Sequence, residues 1–454
     1  MKQLNIILLA LALTACTAKA PLSSRLVRSE MVRCPQASYI DGQEGNLKWN
    51  YTTGLELKAL LDAALAAECR PSGQVSGEAA ASADFGHSGQ VSGDDAAQAD
   101  FGHSEQTSGA DAAQADFGPY EQEACAAVAP DAISIIQYVD DWYDAIIDST
   151  GAIGGKYKKS NYSSDHICPG KTLFRLYDIT GKEKYRLAMD KLYEQICEMP
   201  RTPEGGFWHK QIYPEQMWLD GLYMVEPFYA EYTSRYVPDS LKAANYQDIV
   251  KQFTLAWDKC YDPDTRLLRH AWDASHSMFW CDPSTGQSEH AWGRACGWYA
   301  MALADVIPWI PEGELQQKLI DMLSQLLLTV REFADSKSRM WYQVLDRPGA
   351  EGNYLEASAS AMFTYVLLKG TRNGWIKDYS VTASKDRYRR LLKTFVSVDS
   401  KGLVNLNRCC EVAGLGGKEN RSGTYDYYIH ERIRANDSKG IGPLIWASIE
   451  YEKL

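Results

Sequence analysis

The sequence predicts an all-α protein made of antiparallel helical hairpins, and three observations carry that reading. Apolar residues recur at spacings of three and four through most of the chain, strand-like alternation is scarce, and turn residues separate one apolar stripe from the next. A short amphipathic piece at about 24–34 comes first. Leu57, Leu60, Leu61, Ala64 and Leu65 form the second stripe, and Ile135, Ile136, Val139, Trp142, Tyr143 and Ile146 the third. Helices at about 168–178 and 183–197 are split by Thr180-Gly181-Lys182. The run at about 216–233 carries Trp218, Leu222, Val225, Tyr229 and Tyr232 on one face, and another follows at about 245–258. Pro308–Pro311 divides helices at about 293–309 and 313–334, and further stripes lie at about 355–370, 383–397 and 441–453. Twelve helices make six hairpins. Such a set, filling about 350 residues as one unit, suggests a closed toroid, the (α/α)6 barrel, in which helix ends and loops converge on one central cleft.

Composition narrows the function classes. The chain has 454 residues, 45% of them hydrophobic, enough for one large core or two ordinary ones. Its net charge of -12 argues against nucleic acid as a partner, so an anionic ligand needs a local basic pocket. The 13 Trp and 27 Tyr suit a carbohydrate cleft, where flat rings pack on sugar C–H faces, and they equally suit ordinary core packing.

The first residues read as a targeting segment: Lys2 in a charged n-region, Ile6–Leu13 as the apolar core, then Leu13-Thr14-Ala15-Cys16 as a lipobox. Residues 1–15 are expected to be removed and Cys16 to carry lipid, with 16–23 as a tether and the body exported to a bacterial cell envelope, on the periplasmic face or the outer surface. The alternative is an ordinary secretory signal with a chance cysteine. Nothing later reaches the length of a membrane-spanning apolar run. Residues 70–120 contain three copies of a sixteen-residue unit, Ser72–His87, Ser88–His103 and Ser104–Pro119, each with one large apolar residue (Phe85, Phe101 or Phe117). That is too little apolar surface to offset the ordering entropy, so the insertion reads as a disordered surface loop. The cysteines form no metal or redox pattern and read mostly as buried thiols; Cys69 and Cys125 flank the insertion, and a bridge between them would clamp its base.

The candidates for chemistry sit where helices begin or in the loops just before them. They fall in Asn161–His166, Gly205–Asp220, His270–Asp273 (in a long aromatic loop), Trp292–Trp298 and Asn353–Ser360. Asp220 stands in the helical run off the apolar stripe, among Met217, Tyr223 and Met224. A carboxylate so placed costs free energy unless it is paired or its proton affinity is put to use. Asp165 and Asp220 together supply acid/base capacity, and His209, Lys210, His270 and Arg294 supply groups that grip a carboxylated sugar. Each has a plainer alternative: Asp165 as a helix cap, Asp220 as a helix cap or ion pair, His270 as a satisfied core histidine, Arg294 in an ion pair, Trp292 and Trp298 as packing. For Glu356 a cap or a salt bridge is the better reading. No phosphate loop, HExxH motif, nucleophile elbow or dinucleotide fingerprint competes.

Seven blocks in order, Trp49–Asp62, Asp165–Tyr185, Gly205–Met224, His270–Asp273, Trp292–Trp298, Asn353–Phe363 and Lys439–Glu452, resemble glycoside hydrolase family 105, the unsaturated rhamnogalacturonyl hydrolases, related to the unsaturated glucuronyl hydrolases of family 88. The resemblance spans the chain apart from the repeat insertion. It implies a single (α/α)6 catalytic domain over 24–454, interrupted by 70–120. It also implies hydration of the C4=C5 double bond that a polysaccharide lyase leaves on a terminal uronic acid. In that chemistry Asp220 is the general acid/base and Asp165 the second carboxylate. Tyr51, His209, Lys210, Met224, His270, Trp292, Arg294 and Trp298 match substrate-contacting or pocket-lining positions, and no metal or organic cofactor is implied. The expected ligand is an unsaturated uronyl oligosaccharide from pectin, taken in exo fashion. Two other readings stand beside it: the same chemistry on unsaturated glucuronyl oligosaccharides of other acidic glycans, and a non-catalytic surface lipoprotein that captures glycans. The sequence leaves the oligomeric state open.

Overall fold

A computed structural model describes residues 20–68 and 130–454. The lipobox with Cys16, the repeat insertion and the Cys69–Cys125 pair lie outside the described residues. The helices are α1 (Leu22–Arg33), α2 (Tyr51–Glu68), α3 (Ala132–Ile146), α4 (Gly170–Thr180), α5 (Glu183–Glu198), α6 (Leu219–Tyr236), α7 (Asp239–Cys260), α8 (Gly293–Val306), α9 (Glu314–Glu332), α10 (Ala357–Arg372), α11 (Val381–Phe395), the short α12 (Tyr425–His430) and α13 (Ser438–Lys453).

Packing closes a ring. Helix α2 packs on α4, α4 on α6, α6 on α8, α8 on α10, α10 on α13, and α13 returns to α2. The intervening helices α1, α3, α5, α7, α9 and α11 lie outside, each against its inner neighbours. The protein is an (α/α)6 barrel.

Inner and outer helices differ in sequence for a physical reason. An outer helix buries one stripe: in α9 that stripe is Leu319, Met322, Leu323, Leu326, Leu327 and Val330. An inner helix is enclosed on nearly all sides, and α8 buries every residue from Gly293 to Ala304. Small residues let such helices approach closely. At Gly54 of α2 an added Cβ would fall 2.6 Å from Cα of Pro169. Caps fix several starts: Asp131 accepts from the Ser134 amide, Ser380 from Ala383, and Asp437 from Lys439.

Because each outer helix reverses the chain, the inner helices run in one direction and their N-termini gather at one end of the barrel. Three short antiparallel ladders decorate the connections: β1 (Gln216–Trp218) with β2 (Ala271–Asp273), β3 (Val396–Val398) with β4 (Val404–Leu406), and β5 (Cys409–Cys410) with β6 (Ile433–Arg434). The helix expected from residue 216 therefore begins at Leu219, because 216–218 pair with 271–273 instead. Likewise His270–Asp273 leads into a strand rather than lying in a plain loop. Cys168, Cys260, Cys296, Cys409 and Cys410 are buried free thiols.

The close approach at Gly54 generates a stability test. Glycine to alanine inside a helix ordinarily gains about 0.5–1 kcal/mol, but here the methyl meets backbone that cannot yield without moving the start of α4. Gly54→Ala is expected to destabilise the fold by about 1–3 kcal/mol, read as a lowered denaturant midpoint; an unchanged or raised midpoint would show that α2 and α4 can separate freely.

Candidate active site

The gathered N-termini carry the chemical groups. Asp220 lies in the first turn of α6, where the helix dipole favours negative charge. The β1–β2 ladder places His270 beside it: the Leu219 amide donates to the His270 carbonyl at 3.1 Å, and His270 Nε2 stands 3.2 Å from Asp220 Oδ2. The two atoms are in ion-pair range but off the line of a hydrogen bond, and neither has a hydrogen-bond partner among the described residues. On its other side His270 Nδ1 meets the Tyr428 hydroxyl at 2.7 Å.

Backbone bonds lace the second carboxylate to the same ladder. The His209 amide donates to Gln216 O at 2.8 Å, and the Ser164 amide to His209 O at 3.0 Å, which seats the 3-10 turn Ser164–His166 beside β1. Asp165 does not cap α4. Its Oδ2 pairs with Lys210 Nζ at 2.5 Å, and its Oδ1 lies 4.0 Å from His209 Nε2. Burial works against charge on Asp165, but the Lys210 ammonium outweighs it and holds the carboxyl below the usual range. For His209, burial first and Lys210 second push the imidazole down to about 3, over the opposing pull of Asp165 and Asp220. His209 is therefore neutral, with its Nδ1 3.0 Å from Ser164 Oγ.

Aromatic rings wall the group. Trp218 stacks on His209 at 4.5 Å and on Tyr213 at 5.0 Å, and presents its edge to His270 at 5.4 Å. Trp292 tilts against His270 at 4.8 Å and donates Nε1–H to Gln343 Oε1. Arg294, at the start of α8, lies over the Trp292 ring at 4.9 Å. Its Nη1 donates to Cys410 O at 2.7 Å and to Ser358 Oγ at 3.2 Å, while Nε and Nη2 are buried without partners among the described residues. Burial opposes its charge, but Cys410, Glu356 and Asp437 reverse that effect and keep it a cation. Glu356 caps α10, accepting from the Ser358 and Ala359 amides. Tyr51, at the start of α2, interacts with both Asp165 and Arg294, and burial first, then Asp165, keeps its phenol protonated.

The structure thus brings Asp220, Asp165, His209, Lys210 and His270 into one cluster, with Trp292, Arg294 and Tyr51 adjoining. Met224 lies one turn beyond Asp220, and Trp298 stacks on Tyr223 at 4.6 Å; both are buried behind the cluster. The side chains of Asp220, Asp165 and Lys210 keep 15%, 20% and 25% of their surface, so the centre is open to a ligand. Among the described residues no group of three or more His, Cys, Asp or Glu could hold a metal ion. Sequence reasoning missed Tyr428, and it gave no separate role to Ser164 or Trp218 within the candidate segments that hold them. The aromatic run Tyr425–Tyr428 was the one visible signal for Tyr428, in a helix of six residues, too short to show a period.

The sequence model of Glycosyl Hydrolase Family 88 matches residues 124–454. A solved glycoside hydrolase from family 105 of C. acetobutylicum ATCC 824 is 34% identical, with a TM-score of 0.77, covering 96% of this chain and 100% of its own. The chain belongs to glycoside hydrolase family 105, related to family 88. Among curated relatives of this family 105 protein, Protein Atu3128 of Agrobacterium fabrum is 36% identical over 210 residues, 45% of this chain and 89% of its own length. The unsaturated rhamnogalacturonyl hydrolase YesR of Bacillus subtilis is 31% identical over 215 residues, 45% of this chain and 58% of its own. As a family 105 member the protein is a glycoside hydrolase, and the acid/base groups and stacking rings at the barrel mouth fit that class.

The state of His209 has a consequence for stability. The folded protein holds it neutral, whereas the unfolded chain takes up a proton below its ordinary value of 6.5. Stability is then complete above that value and falls as pH drops towards 3. The loss is on the order of 2 kcal/mol by about pH 5. His209→Gln should flatten this acid slope by close to one proton, measured from denaturant unfolding between about pH 7 and 4; an unaltered slope would mean that His209 is charged in the fold.

Proposed function

We propose that this family 105 hydrolase is an exo-acting enzyme that hydrates the C4=C5 double bond of the terminal unsaturated uronic acid on lyase-generated rhamnogalacturonan oligosaccharides. The observation that carries the reading is the Asp220–His270 contact, set beside an Asp165 that Lys210 holds ionised. One carboxyl is thereby free to move a proton while the other stays a fixed acceptor for sugar hydroxyls. Asp220 gives its proton to C4 and takes one from the water that adds its hydroxyl at C5. The product is a hemiketal. It opens to a C5 ketone, the ring oxygen becomes a hydroxyl on C1, and C1 expels the remaining sugar as an alcohol to become an aldehyde.

Arg294 supports recognition of the uronate. It is a buried cation with Nε and Nη2 unpartnered among the described residues, at a helix N-terminus, next to a tryptophan face. The likeness to the rhamnogalacturonyl hydrolase of Bacillus subtilis supports pectin fragments over other uronides. We place the enzyme at a bacterial cell envelope, anchored through lipid on Cys16, a reading that rests on the Leu13–Cys16 lipobox.

Two experiments test this. Ultraviolet absorbance of the conjugated double bond should disappear when the protein meets unsaturated rhamnogalacturonan disaccharide. Asp220→Asn should slow that loss on the order of a thousandfold with binding largely kept. A variant at the wild-type rate would remove Asp220 from the mechanism, and turnover confined to unsaturated glucuronyl disaccharides would move the substrate. For the anchor, Cys16→Ser is expected to shift the exported protein from the membrane fraction to the soluble one; an unchanged distribution would leave an ordinary secretory signal.

A further inference from the structure

We infer that Tyr428 is a positioning residue that fixes the tautomer of His270, so that Nε2 carries the ring proton and presents it to Asp220. The inference rests on the acid/base role proposed for Asp220.

Tyr428 is buried on α12, and the one hydrogen-bond partner of its hydroxyl among the described residues is His270 Nδ1, at 2.7 Å. Burial keeps the phenol protonated, with Tyr427, Asp220, Asp346 and Cys410 reinforcing that state. Two proton arrangements fit the distance. If Nδ1 carried the ring proton and donated to the phenol, the phenolic hydrogen would be left buried with no acceptor. If the phenol donates to Nδ1, the phenolic hydrogen has its acceptor and the ring proton sits on Nε2, in ion-pair range of a carboxylate oxygen though off the line of a hydrogen bond. Nε2 is the atom 3.2 Å from Asp220 Oδ2. Hydrogen bonds of ligand-free sites are often misaligned and tighten when substrate closes the cleft.

The tyrosine's backbone is anchored beside the same tryptophan. Gln343 Nε2 donates to the Tyr428 carbonyl at 3.1 Å, while Gln343 Oε1 accepts from Trp292 Nε1 at 3.1 Å. Tyrosine, imidazole and tryptophan are thereby linked into one unit against Asp220. Other charged or titratable groups facing this unit are Asp165, Lys210 and His209 beyond Asp220, with Asp346 and the Cys296 thiol behind. A fixed N–H at Oδ2 stabilises the carboxylate left after the proton goes to C4. Without the phenol, the tautomer is free and that donor is intermittent.

Tyr428→Phe removes one hydroxyl. It should lower kcat on the order of tenfold, the equivalent of one hydrogen bond, with KM little changed. A purely structural tyrosine would lower the melting temperature and leave kcat where it is, and that result overturns the inference. The direct measurement needs no substrate. In protein labelled with nitrogen-15 histidine, the His270 resonances, assigned by their loss in His270→Gln, should report a neutral ring protonated at Nε2. A ring protonated at Nδ1, or at both nitrogens at neutral pH, also overturns it. If the wild-type protein turns over no unsaturated uronide, the proposed function fails while the tautomer measurement still decides this point.

Discussion

The three-residue pairing of Gln216–Trp218 with Ala271–Asp273 is the constraint on which the site depends. Its two strands come from connections on successive hairpins, and each hands a titratable residue to the same point: β1 runs straight into α6 and Asp220, and β2 begins just after His270. Further backbone bonds extend the ladder, from Gln216 to His209 and from His209 to Ser164, so the Asp165 turn is tied to the same frame. A slip of one residue would turn Trp218 to the opposite face. With it would go the ring stacked on His209 and the edge set against His270. The helices supply the floor, and six residues of strand supply the alignment.

On that frame the electrostatics are unequal by construction. Asp165 and Lys210 neutralise each other, and His209 is kept neutral by burial and by the same lysine. Arg294, seated at a helix N-terminus, is a buried cation left with donors to spare among the described residues. The chain as a whole carries -12. Surface charges are screened over about 8 Å at physiological ionic strength, whereas a buried guanidinium is screened much less. A protein of overall negative charge can therefore hold a carboxylated sugar through a few buried groups and the ends of its helices.

The barrel was legible because its helices are long and regular. Each of the twelve stripes became a helix. Asp220, Asp165, His209, Lys210, His270 and Arg294 were legible as chemistry placed at helix entrances, since six parallel inner helices must present their N-termini together. The short elements were not. Strands of two or three residues have no period to read, and β1 borrowed the apolar pattern of the helix that follows it. The Tyr428 contact joins residues 158 positions apart, and nothing local to either announces the other.

The segment from β4 to α13 explains why the mouth of the barrel needs more than helix ends. It returns to the barrel through Arg434, whose guanidinium pairs with Asp437 at 2.6 Å and also with Asp41 ahead of α2. Between these anchors it contributes the Cys410 carbonyl to Arg294 and the Tyr428 hydroxyl to His270. The Cys410 amide in turn donates to Glu356 at 2.9 Å, joining the segment to the α10 cap. Helix N-termini offer N–H donors and positive potential, but few acceptors. Histidine and arginine buried among them need acceptors and oriented hydroxyls, or they stand unsatisfied at a cost of several kcal/mol. A strap of irregular chain has free carbonyls and side chains to give, and it completes what a ring of helices cannot supply by itself.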